Sequence, residues 1–138
     1  MRNAKCGRIF TTHDRERLRR ILNAEQSGSV IESADLRALR MDLERAKPVD
    51  PSNIRPNIVT MHTTFCLKDL GNGKKKNYSL VYPEESVGED KLSVLSCIGA
   101  KIIGCSVGTV IRDGSRGDRY YLIEEIIYQP QEAGVYHT

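Results

Sequence analysis

Ser93 and Ser96 lie within the run in which reactive side chains are most densely grouped, Asp90-Lys91-Leu92-Ser93-Val94-Leu95-Ser96-Cys97-Ile98. No base lies nearby to activate either hydroxyl as a nucleophile. Ser96 instead suits a helix N-cap, where its oxygen accepts an orphaned backbone N–H. His13, His62 and His137 fall at a helix start, a strand junction and the tail, with no spacing that unites them. Cys6, Cys66, Cys97 and Cys105 show no C-x-x-C pattern and no paired histidines, so zinc coordination is not indicated. The glycine pairs lack the phosphate-loop pattern. Lys74-Lys75-Lys76 follows a predicted turn, where solvated lysines are ordinary. Glu32 and Asp35 are three apart near a helix start; two carboxylates there could hold a divalent cation, but the favoured reading is stabilisation by the helix dipole. The residues therefore point to contact rather than catalysis, with no catalytic residue, metal or cofactor.

The elements that position these residues are read from periodicity. Ser96 opens a short helix that Gly104 closes, with Ile98, Ile102 and Ile103 forming one apolar stripe. Upstream, Thr12 as N-cap and Asp14 in the first turn start a helix running to about Gln26, with Leu18, Ile21 and Leu22 on one face. A second helix begins near Ser33 and shows Leu36, Leu39 and Leu43. Two such helices across a short loop predict an antiparallel hairpin projecting about 20 Å. Between Pro48 and Pro56 three prolines exclude a continuous helix or inner strand.

Beyond the prolines the period changes to two. Strands are predicted over Ile58–Met61, Thr63–Leu70, Lys76–Tyr82, a short piece from Lys91 ahead of Ser96, Thr109–Arg112 and Arg119–Tyr128, with a kink between the first two and a hairpin turn at Gly71-Asn72-Gly73. The expectation is an α+β chain: an N-terminal antiparallel helical hairpin over residues 1–47, a Pro-rich linker over 48–57, and an antiparallel sheet unit over 58–138 wrapping a short helix.

The 138 residues allow one ordinary domain or a small domain with a helical appendage. The net charge of +3 is uneven: Met1–Lys47 holds eleven basic and seven acidic residues, the remainder ten and eleven. That excess is weak evidence for nucleic acid, and no sequence-specific binding is expected. No stretch resembles a signal peptide or a membrane span, so a cytoplasmic protein with reduced thiols is expected.

The run Leu92-Ser93-Val94 through Gly99-Ala100 and Gly104 to Gly108 resembles the signature of bacterial Gre-type transcript cleavage factors. With Val59-Thr60-Met61, Leu80-Val81-Tyr82-Pro83, Tyr128-Gln129-Pro130 and Ala133-Gly134 before Tyr136, the chain resembles the Rnk (regulator of nucleoside diphosphate kinase) family, related to the Gre factors. The resemblance implies a short coiled-coil hairpin and a C-terminal domain like that of FK506-binding proteins. It also implies docking on bacterial RNA polymerase at the rim of the secondary channel, in competition with Gre factors, without an enzyme activity and without stimulating RNA cleavage. The residues it brings to docking are Asp90, Ser93, Leu95, Ser96, Cys97 and Ile98, with Glu32 and Asp35 at the hairpin tip. Leu95 stands where Gre factors carry an acidic or small polar residue, Cys97 where they carry proline, and Thr109 where aspartate is common. Alternatives are a Gre-type cleavage factor and a direct regulator of nucleoside diphosphate kinase. Prolyl isomerisation is disfavoured because its pocket needs aromatics, and this chain has no Trp and two Phe.

Overall fold

The computed structural model describes residues 7–26, 33–114 and 117–136. Helix α1 spans Thr12–Gln26 and α2 Ala34–Arg45. Strand β1 is Thr64–Asp69, β2 Lys75–Val81 and β3 Lys91–Ser93; helix α3 is Cys97–Ile102; β4 is Val110–Asp113 and β5 Arg119–Tyr128. Short 3-10 turns occupy Pro51–Asn53 and Pro83–Glu85.

The five strands form one sheet in the order β3-β2-β1-β5-β4. It is not wholly antiparallel as expected: β3 runs parallel to β2, with Leu80 opposite Leu92. A parallel neighbour needs a crossover. The chain between Tyr82 and Asp90, which includes the 3-10 turn, supplies it. Ile58–Met61 is also not a strand. Ile58 makes a single bridge to Ser106, and the chain turns at His62, whose φ of 66° lies in the left-handed region. That residue is the expected kink.

Capping explains the helix boundaries. Ser33 Oγ accepts from Leu36 N at 3.2 Å, which starts α2 where the sequence placed it. At α1 the cap is Thr11 rather than Thr12: Thr11 Oγ1 accepts from Asp14 N at 3.0 Å, and Thr11 is bridged to Val49. The bridge fixes Thr11 in extended backbone, the conformation an N-cap needs.

The predicted apolar stripes meet in one core. Leu18 and Leu22 of α1, Leu39 and Leu43 of α2, Phe65 and Leu67 of β1, Ile102 of α3 with Ile103 just after it, and Ile123 of β5 are all buried in a single cluster. The helical hairpin thus packs against the sheet unit, as helices too short to be stable alone require. The Pro-rich segment is pinned too. Val49 N donates to Phe10 O, and Gln129 Nε2 donates to the carbonyls of Arg55 and Ile58, both at 2.8 Å. The Tyr-Gln-Pro motif near the C-terminus therefore has a structural task. Gln131 continues it by accepting the Thr60 hydroxyl at 2.8 Å.

Candidate functional site

Between β3 and α3 the chain makes a tight turn whose own side chains hold it. Val94 is fully buried, and its N–H donates to Val81 O at 2.9 Å. Ser93 Oγ accepts from Leu95 N at 3.1 Å, while Ser93 O accepts from the Ser96 hydroxyl at 2.6 Å and from Ser96 N at 3.0 Å. Ser96 Oγ in turn accepts from Gly99 N at 3.1 Å, capping α3. Gly99 is required here: a Cβ on it would lie 2.0 Å from Ser93 O. The helix approaches the preceding backbone so closely that only glycine fits. Gly104, at φ 85°, turns the chain after the helix.

This knot presents Leu95, Ser96, Cys97 and Ile98, all half-buried, beside a groove of about 290 Å³. Ser96, Cys97 and Ile98 line one side; Asp113 and Tyr121, brought in by the β4–β5 hairpin, line the other. Leu95 packs partly on the core. The Ser93 hydroxyl and carbonyl are engaged within the turn. Asp90 is exposed in the preceding loop, its carbonyl accepting from Ser79 N, and it does not line the groove. The structure thus brings together Ser96, Cys97 and Ile98 of the six residues, places Ser93 and Leu95 behind them, and leaves Asp90 apart.

Cys97 faces acids. Its thiol lies 3.7 Å from Asp113 Oδ1, and hydrogen bonding to Asp35 with burial pushes its pKa up to about 11. A thiol so held is a weak donor, not a nucleophile. Asp35 is also 3.6 Å from Lys101 Nζ of α3. The acid assigned to the hairpin tip is therefore engaged at α3. Glu32 lies outside the described residues.

A second polar node joins the hairpin to the sheet. Asp14, 1% exposed, accepts from Met61 N at 3.1 Å, and burial raises its pKa. The buried Tyr82 ring has the Arg17 guanidinium 4.1 Å above it and His62 edge-on at 5.6 Å. Burial also raises the pKa of the Tyr82 phenol. Glu85 Oε1 bonds His62 Nε2 at 2.8 Å and accepts from Tyr82 N at 3.2 Å. Burial opposes ionisation of Glu85, but the bonds from His62 and Tyr82 outweigh it and lower its pKa. Sequence reasoning missed this node. Asp14 reads as an ordinary first-turn acid, and the expected kink at His62 gives no sign of the Glu85 and Tyr82 side chains it meets. Likewise Asp113 and Tyr121 carry no local mark of the groove.

Among the described residues no group of three His, Cys, Asp or Glu could hold a metal ion, and no helix is long and apolar enough to cross a membrane.

A curled five-stranded sheet with a capped turn and short helix at its edge is the architecture of a known class. The chain belongs to the GreA/GreB family: the family model for the C-terminal part of the transcription elongation factors GreA and GreB matches residues 54–128. Within it, the chain is 32% identical over 102 residues to the regulator of nucleoside diphosphate kinase of Escherichia coli K12, covering 72% of this chain and 75% of that one. It is also 32% identical over 136 residues to the transcription elongation factor GreA of Prosthecochloris aestuarii, covering 86% and 85%. A solved prokaryotic transcription elongation factor GreA/GreB from Nitrosomonas europaea superposes with a TM-score of 0.73 at 26% identity, over 91% of this chain and all of that one. These relatives support a regulator of the transcription elongation factor type.

Proposed function

We propose that this chain binds bacterial RNA polymerase at the rim of the secondary channel and competes there with Gre factors, without catalytic chemistry of its own and without stimulating RNA cleavage. The observation that carries the reading is the Ser93–Ser96–Gly99 knot, which lies inside the family-matched segment and holds Leu95, Ser96, Cys97 and Ile98 beside a groove. A docking contact must be rigid before it meets its partner, because ordering it on binding weakens affinity. Where Gre factors use proline for this, the two serine hydroxyls here serve the same end. In this reading the sheet unit is an FKBP-like docking domain, residues 48–57 the linker, and the hairpin a short coiled coil in a cytoplasmic protein.

The hairpin supports the absence of cleavage stimulation in this reading. Helix α1 has 15 residues, about 22 Å at 1.5 Å per residue, and its inner face is spent on the sheet. Asp35 is tied to Lys101 and Cys97 rather than presented to a distant active centre.

The test uses backtracked elongation complexes. The protein alone, with magnesium, leaves the RNA intact, and pre-incubation slows cleavage by a Gre factor added afterwards. Cleavage by the protein alone would instead make it a Gre-type factor. The second reading, direct regulation of nucleoside diphosphate kinase, is favoured by the name of the Escherichia coli relative. It predicts altered activity of the purified kinase with no polymerase present.

A further inference from the structure

The groove beside Cys97 does not end at Tyr121. The same ring lines a second depression, of about 350 Å³, floored by Leu67, Tyr78 and Tyr121 and rimmed by Lys74, Lys75 and Lys76. The strand register puts Leu67, Asp69, Lys76, Tyr78 and Tyr121 on one face, with Lys75, opposite Lys68, on the other. Leu67 lies opposite Lys76, Phe65 opposite Tyr78, and Asp69 opposite Tyr121, so Lys76 occupies a position on the face that elsewhere forms the core. The β3 partner covers only Ser79–Val81 of β2. Lys75–Tyr78 is therefore a free edge, and the groove is open along it.

The lysines are held in place. Asp69 Oδ1 accepts from Gly71 N and Asn72 Oδ1 from Lys74 N, both at 2.8 Å, which fixes the turn. Lys76 Nζ sits 5.1 Å from the centre of the Tyr78 ring. Their charge is poorly compensated: Lys75 is 3.7 Å from Glu124, but Lys74 and Lys76 have no carboxylate within ion-pair distance among the described residues. Asp69, the rim's acid, already faces Arg119 at 3.9 Å.

We propose that this lysine-rimmed groove receives an acidic segment of the polymerase, so that docking runs continuously from the Leu95–Ile98 turn across Tyr121 and Tyr78 to Lys74–Lys76. The inference rests on the docking reading above. Charge complementarity sets the sign of the partner, and the apolar floor asks for at least one apolar side chain beside the acids. A stacked nucleotide base fits less well, because Lys76 already lies over the Tyr78 ring and Phe65 packs near it at 6.3 Å.

The experiment compares binding of fluorescently labelled protein to purified core polymerase for the wild type, the double variant Lys74→Glu/Lys76→Glu, and a charge-matched control, Lys47→Glu/Arg55→Glu, with urea unfolding to verify each fold. The lysine variant should bind about tenfold more weakly at low salt, with the gap shrinking as salt screens the contact, while the control stays within about twofold of wild type. A lysine variant that binds like wild type overturns the inference and leaves the docking reading standing. If that variant instead loses affinity only for a single-stranded RNA oligonucleotide, the groove is an RNA site and the inference is overturned. Wild-type protein that does not bind polymerase overturns both.

Discussion

The α3 turn and the hairpin–sheet seam are both polar nodes within one small chain, and they are built in opposite ways. The turn is held by residues within seven positions of one another: Ser93, Leu95, Ser96 and Gly99. The seam joins Asp14 to Met61, Arg17 to Tyr82, and His62 to Glu85 across distant parts of the chain. A local node keeps its shape when the surroundings loosen. A seam exists only once the whole core has formed. The proposed contact loop thus sits on the local node, and the long-range one holds the helices down.

The comparison is most sharply broken at Gly99. Gly99→Ala drives a methyl into the backbone carbonyl of Ser93 and should destabilise by about 3 kcal/mol or more, read as a lower urea midpoint. A loss below about 1 kcal/mol would mean that the turn is slack and not preformed.

At the seam the expected effect is smaller and depends on pH. Because the folded-state pKa of Asp14 is raised, the folded protein keeps that proton to a higher pH than the unfolded chain. The buried carboxylate therefore costs nothing below the ordinary aspartate value of 3.8, and the cost grows as pH rises through the raised one. Asp14→Asn removes the charge and keeps an oxygen for Met61 N. Its stability relative to wild type should rise from about pH 4 toward neutrality in urea titrations. Parallel curves would mean that Asp14 is not carrying a burial penalty.

Ser96→Ala is a milder probe of the turn: loss of the cap should cost about 1 kcal/mol, again by urea unfolding. The smallest effect is chemical. With its ionisation pushed up to about 11, Cys97 should react with iodoacetamide at pH 8 far more slowly than in urea-unfolded protein, and Asp35→Asn should speed it. Equal rates in the folded and unfolded states would show that Asp35 and Asp113 do not hold the thiol.

The same contrast explains what was legible in the sequence. Ser96, Gly104 and the isoleucine stripe announce α3, and the long alternation of Arg119–Tyr128 matches β5 because these patterns are local. The parallel pairing of β3 was hidden, since a three-residue strand carries too little pattern to show its direction. Ile98 reads both as part of the helix stripe and as a contact residue, and it is half-buried, packed against the core while lining the groove. Tyr121 and Asp113 join the site only through strand register. Asp35 meets Lys101 only because the hairpin folds back on the sheet. A tertiary docking of this kind leaves no trace in periodicity.

The most direct test of the central claim places a photo-crosslinking amino acid at Leu95 and, in a separate protein, at Ile127, which is 50% exposed on β5. With core RNA polymerase, position 95 should crosslink and an excess of Gre factor should suppress the product, while position 127 should give little. Equal crosslinking from both positions, or a product at 95 that Gre factor does not diminish, would contradict docking through the α3 turn.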